Sequence, residues 1–169
     1  MWRRLLTALR RRPRVVQAAI LYRLADRFVV LTSSGRVGYP WFATLPARRL
    51  GLDVNDAALA GAVRDLLRQS RCDAAPPADQ QAHRRQVLAT VGGSSWAELE
   101  RGSAMCDIRR DETGIHILPS RNETRAARGP TRGFAHLPER EITVAADASD
   151  EELGQAIRAA LDMHASEHT

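Results

Sequence analysis

The sequence predicts an α+β fold: an antiparallel sheet built from two related strand–loop–strand–helix units, with helices packed on it. Three observations carry this expectation. The same order of motifs occurs twice, short apolar strands flank local turn signals, and each unit ends in an amphipathic helical stripe. Hairpins joined by tight turns imply antiparallel pairing. The 169 residues suffice for one core but would be cramped as two independent domains.

Residues 1–21 read as a basic helical segment. Trp2, Leu5, Leu6 and Leu9 recur at i, i+3, i+4 and i+7 among Arg3, Arg4 and Arg10 to Arg12, and Pro13 stops the pattern. A second apolar stretch runs from Val15 to Leu24. A single α+β domain is expected over 22–163, with an internal duplication over about 28–70 and 115–163 and a tail over 164–169.

The duplication is read from ordered matches. Phe28-Val29-Val30-Leu31 answers Ile115-His116-Ile117-Leu118, and Phe42-Ala43-Thr44-Leu45-Pro46 recurs as Phe134-Ala135-His136-Leu137-Pro138. The helix that begins at Asp56 places Leu59, Ala62, Val63, Leu66 and Leu67 on one face. The helix that begins at Asp150 repeats this with Leu153, Ala156, Ile157, Ala160 and Leu161. Ser149 with Glu152 forms a capping-box signature, and Asp150, Glu151 and Glu152 suit the positive end of the helix dipole. Two copies do not make a solenoid, which needs three or more.

Strands are expected at Phe28–Thr32 and Val37–Phe42 around the turn Ser33–Arg36, and at Met105–Arg109 and Ile115–Leu118 around Asp111–Gly114. Arg132–Leu137 and Glu141–Ala145 complete the sheet. Between the copies lie a Pro-rich loop (Cys72–Gln80), a helix over Gln81–Val91, and a short helix opened by Ser95 and Glu98 that buries Trp96 and Leu99. Arg121 to Arg132 reads as a basic exposed loop.

Composition excludes several classes. No apolar run reaches the roughly 18 residues a membrane span needs. Arg10, Arg11, Arg12 and Arg14 interrupt the apolar core of a secretory signal, so export is not expected. Cys72 and Cys106 make neither a disulfide framework nor a metal spacing. Lysine is absent, so the arginine total reflects codon bias before function. Its distribution says more: residues 1–49 hold eleven Arg against Asp26 alone, whereas residues 137–169 hold eight acids against Arg140 and Arg158.

No catalytic or metal constellation stands out. His164-Ala165-Ser166-Glu167-His168 matches H-x-x-E-H, but it falls at the chain's end and reads as a solvated tail. His116 and His136 could approach as an acid–base pair, yet no nucleophile or carboxylate is placed beside them in the sequence, so strand histidines are the simpler reading. No catalytic, cofactor or metal residues are therefore assigned, and no enzyme activity is expected.

The run Gly92-Gly93-Ser94-Ser95-Trp96-Ala97-Glu98-Leu99, then Cys106-Asp107-Ile108, Gly114-Ile115-His116-Ile117-Leu118-Pro119, Gly133-Phe134 and Ser149-Asp150-Glu151-Glu152-Leu153-Gly154-Gln155-Ala156-Ile157-Arg158 resembles one family of immunity proteins from bacterial contact-dependent growth inhibition (CDI) systems. The resemblance covers about residues 22–163. It implies a cytoplasmic, non-enzymatic protein, without cofactor, that binds the cognate C-terminal toxin domain of a large secreted effector. It also implies that the toxin is a nuclease and that binding blocks its active site or substrate groove.

Two toxin-binding surfaces fit that implication. One is the acidic set Asp147, Asp150, Glu151 and Glu152, which suits a basic nuclease and is preferred; the other is the basic set Arg121, Arg125 and Arg128. The same acids have an equally good local reason to exist, as the cap of a helix. The alternative function is a small basic nucleic-acid-binding protein that uses the Arg-rich residues 1–14.

Overall fold

The computed structural model describes residues 17–35, 41–123 and 133–163. Within these residues the chain forms β1 (Gln17–Arg23), β2 (Arg27–Ser34), β3 (Phe42–Gly51), α1 (Asp56–Gln69), α2 (Gln80–Val91) and α3 (Trp96–Glu100). These are followed by β4 (Ala104–Arg110), β5 (Ile115–Asn122), β6 (Phe134–His136), a 3₁₀ turn (Pro138–Arg140), β7 (Ile142–Val144) and α4 (Asp150–Asp162). The architecture is the expected α+β class, a seven-stranded sheet ordered β3-β2-β1-β4-β5-β6, with β7 also pairing β5. Every pairing is antiparallel.

Alternation along the strands sends side chains to two faces. On one face Leu21, Phe28, Val30, Cys106, Ile108, Ile115 and Ile117 meet Leu59, Val63 and Leu66 of α1 and Leu153, Ile157 and Leu161 of α4. Most of these side chains are fully buried, each contributing roughly 1.5–3 kcal/mol from apolar burial. On the other face Val29, Leu31 and Met105 meet Val87 and Val91 of α2 and Leu99 of α3. Cys106 is completely buried among apolar neighbours, and burial drives its thiol far up from the ordinary range.

The two halves stand in a pseudo-twofold relation about the β1–β4 seam. Gln17 lies opposite Arg110 and Arg23 opposite Ala104, so Ile20 faces Asp107 at the centre. The relation extends to α1 and α4, which pack side by side, and it is closed by a reciprocal clasp. Arg64 of α1 donates to Asp150, the first residue of α4, at 2.7 Å and to the carbonyls of Ala146 and Ala148. Arg158 of α4 donates to Asp56, the first residue of α1, and to the carbonyl of Val54. Close approach requires Gly154: a Cβ there would stand 2.6 Å from the Asp56 Cα, and nearer still to its carbonyl.

Three expectations are corrected. Residues 17–21, expected in a basic helical segment, belong to β1 at the sheet's centre, because Ala19 and Leu21 point to one face and Ile20 and Tyr22 to the other. Strand alternation, not a helical stripe, governs that stretch. The strand expected to end at Phe42 instead starts there and runs to Gly51, passing through the cis Leu45–Pro46 bond with a register shift opposite Leu31/Thr32. A proline inside an edge strand costs no ladder bond that the free edge had to make. The capping signature at Ser95 is split across two residues. Ser95 Oγ accepts from the Glu98 N–H, while the Glu98 carboxylate accepts from the N–H of Ser94. Residues 1–16, most of the expected strand Val37–Phe42, the loop residues 124–132 and the tail 164–169 lie outside the described residues.

Candidate functional site

The acidic set sits where β7 hands over to α4. Ser149 caps α4: its hydroxyl oxygen accepts from the Glu152 N–H at 3.2 Å, and the Glu152 carboxylate accepts from the Ser149 N–H at 2.8 Å. Those bonds to Ser149, backbone first and hydroxyl second, hold the Glu152 carboxyl below its usual range. Asp150 is engaged by Arg64. Two of the four acids are thus committed inside the molecule. Asp147 and Glu151 are exposed and make no hydrogen bond or ion pair with the described residues.

Beside them an open groove of about 730 Å³ runs between β7 and the outer side of α4. Ile142, Val144, Ala156 and Ala159 give it an apolar floor, and Asp147 and Glu152 stand at its rim. The groove exists because β7 has only three residues, leaving the outer flank of α4 uncovered. An apolar trough with one free carboxylate, Asp147, at its rim is suited to a partner that brings apolar side chains beside a cation.

The basic set lies elsewhere. Arg121 is near the far end of β5, opposite Ala135 of β6, and pairs with Glu123 at 3.0 Å. The acids follow β7, which pairs with the Ile115 end of the same strand. At about 3.3 Å per residue the two ends of β5 are roughly 20 Å apart, so the acids and Arg121 form separate surfaces. Arg125 and Arg128 lie outside the described residues.

The histidines do not meet as a pair, and each has partners the sequence did not reveal. His116 lies between Glu141, at 2.8 Å from Nδ1, and Asp111, at 3.2 Å from Nε2. This ties the β4–β5 turn to the segment preceding β7. His136 contacts Ser120 Oγ at 2.9 Å through Nδ1 and Asp107 at 3.4 Å through Nε2. The residue types are those of a nucleophile relay, but Ser120 has 0% exposure, so its Oγ has no path to a substrate. The contact fastens β6 onto β5.

The Arg64–Asp150 and Arg158–Asp56 clasp was not read from the sequence, although its signal was present. Both copies of the repeat carry an Asp at the helix start and an Arg at the same position further on. Among the described residues no group of three or more His, Cys, Asp or Glu is placed to hold a metal ion, and no helix is long and apolar enough to cross a membrane.

Comparison with known proteins sets this geometry in context. The family model described as CDI immunity protein (CdiI) matches residues 19–163. Among solved structures the fold is similar to a protein of unknown function from Neisseria meningitidis, NMB0488. The TM-score is 0.68 with 19% identity, covering 87% of this chain and 94% of that one. It is also similar to a chain of the CdiA-CT/CdiI toxin and immunity complex from Yersinia pseudotuberculosis. There the TM-score is 0.66 with 20% identity, covering 86% of this chain and 95% of that one. No curated protein matches this chain.

Proposed function

Because this chain belongs to the CDI immunity protein family, we propose that it protects its own cell by binding the cognate C-terminal toxin domain of a CDI effector, in the cytoplasm. The observation that carries the reading is the family match over almost the whole of the described sheet and helices. The groove beside α4 gives it a physical form: Asp147 at its rim and Glu151 on the first turn of α4 carry charge that no partner among the described residues uses.

The toxin is a nuclease in this reading. A nuclease must present a basic surface to phosphates. The free carboxylates of Asp147, at the groove rim, and Glu151, on the adjoining turn of α4, compete for that surface and steer encounter, while the apolar floor supplies the contact that keeps the complex together. Inhibition is by occlusion: an interface of standard size, roughly 1,600 Å², denies the active site or substrate groove to nucleic acid. No bond is made or broken by the immunity protein itself.

The test is co-expression. The toxin domain encoded immediately upstream should arrest growth alone and be tolerated when this chain is made with it. Continued arrest, with the chain soluble and abundant, overturns the reading. For the surface, Asp147→Lys with Glu151→Lys should slow toxin association about tenfold at low ionic strength and far less at high salt. An unchanged association rate removes the acidic groove from the interface.

A further inference from the structure

On the sheet face opposite α1 and α4, a second cavity of about 490 Å³ opens between β1, β3, the Pro76–Pro77 loop and the helices α2 and α3. Its size is that of a small-molecule site. The walls are aromatic: Tyr22, Phe42 and Trp96 line it. Two acceptor groups in those walls lack partners among the described residues, and so does the buried donor Trp96 Nε1–H. Tyr22 is only 6% exposed, and its hydroxyl makes no hydrogen bond with the described residues. The Glu100 side chain lines the same cavity, half-buried, with no ion pair or hydrogen bond of its own among them.

A hydroxyl and a carboxylate left unsatisfied at an aromatic wall call for a ligand of defined chemistry. It must donate several hydrogen bonds, carry positive charge and tolerate π faces. We propose that this cavity binds a small organic cation, a primary amine or guanidinium on a short carbon body. Glu100 is its counter-ion, Tyr22 accepts one N–H, and the rings of Trp96 and Phe42 flank it.

The protein already shows how a cation sits here. The guanidinium of Arg84, an exposed residue of α2, rests 5.4 Å from the Trp96 ring centroid. Arg84 draws the Glu100 carboxyl down, but burial raises it by more, so the carboxylate remains short of positive charge. Burial, then the charges of Glu100 and Asp107, also push the Tyr22 phenol up, keeping its proton on. A ligand cation would therefore add to, or displace, an arginine that partly fills the role.

The experiment is titration of the isotope-labelled full chain with N-acetyl-arginine amide and 1,4-diaminobutane, followed by the Trp indole and backbone resonances. Saturable shifts confined to Tyr22, Phe42, Ala43, Trp96 and Glu100 are expected, with no response to N-acetyl-citrulline amide, which is neutral and nearly isosteric with N-acetyl-arginine amide. Glu100→Gln should weaken binding about tenfold or more, and Arg84→Ala should tighten it about threefold, each with a spectrum otherwise like the wild type. Equal shifts with N-acetyl-citrulline amide, or affinity unchanged in Glu100→Gln, overturn the proposal. So does a pocket that responds to the toxin domain and to none of the cations; it would then belong to the protein interface. The titration needs no toxin, so it fails or stands independently of the immunity reading.

Discussion

The pentapeptide Phe-Ala-x-Leu-Pro opens the outer strand in both halves of the molecule and ends differently in each. In the first half Phe42 to Pro46 begins a ten-residue strand, with Thr32 donating to the Pro46 carbonyl at 2.8 Å and Thr44 hydrogen-bonding back to β2. In the second half Leu137-Pro138 leaves the sheet, Pro138 takes the first place of a 3₁₀ turn, and the strand resumes as the three residues of β7. Leu118 and Pro119 of β5 occupy the positions that Leu31 and Thr32 hold at the bulge in the first half, so no hydroxyl stands there in the second. The same local signal thus yields a continuous edge where a hydroxyl neighbour satisfies the proline carbonyl, and a broken one elsewhere.

The difference teaches where to look for function. The halves agree in the seam, the inner strands and the clasped helices, which form the framework. They differ at the broken edge, which opens the groove beside α4, and on the opposite face, where α2 and α3 cover one half and frame the aromatic cavity.

Substitutions can press on this comparison, beginning with the largest effect. Leu59 and Leu153 occupy equivalent, fully buried places on α1 and α4. Truncating either to Ala should cost about 3 kcal/mol in denaturant unfolding, and costs that differ by more than about twofold would show the helices to be unequal in energy. Next, two helical glycines should respond with opposite sign. Gly154→Ala meets the Asp56 backbone and should lose about 1–3 kcal/mol. Gly61→Ala finds no atom within 4 Å and should gain about 0.5–1 kcal/mol.

A smaller effect concerns the helix cap. Ser149→Ala should cost about 1 kcal/mol. Because the Glu152 carboxyl is lowered in the folded state, its contribution is complete above the ordinary carboxylate range. It is lost as pH falls through the folded value, so an acid titration of stability should flatten slightly in Glu152→Gln. Glu151→Lys puts a cation at the start of α4 and should cost about 0.3–1 kcal/mol. The smallest expected change in stability is that of Asp147→Lys, near zero, which separates its effect on toxin association from any effect on folding.

Much of the framework was legible because it rests on periodicity. The stripes of α1 and α4, the cap at Ser149 and the β4–β5 hairpin follow from side-chain spacing alone. β1 was misread because its run Ala18–Tyr22 is buried on both faces, and continuous apolar runs do not announce their period. The acidic site was legible as composition but not as chemistry. Only coordinates separate Asp150 and Glu152, spent on Arg64 and Ser149, from Asp147 and Glu151. The aromatic cavity was not legible at all, because Tyr22, Phe42 and the pair Trp96 and Glu100 come from three distant segments, β1, β3 and α3.

The crossed arginines have one more consequence. Each helix begins on a turn gripped by a side chain from the other half, so neither start can loosen while its counterpart stays whole. A chain latched in this way has no stable half-open form. It should melt in a single step, with tryptophan emission and far-ultraviolet ellipticity changing together.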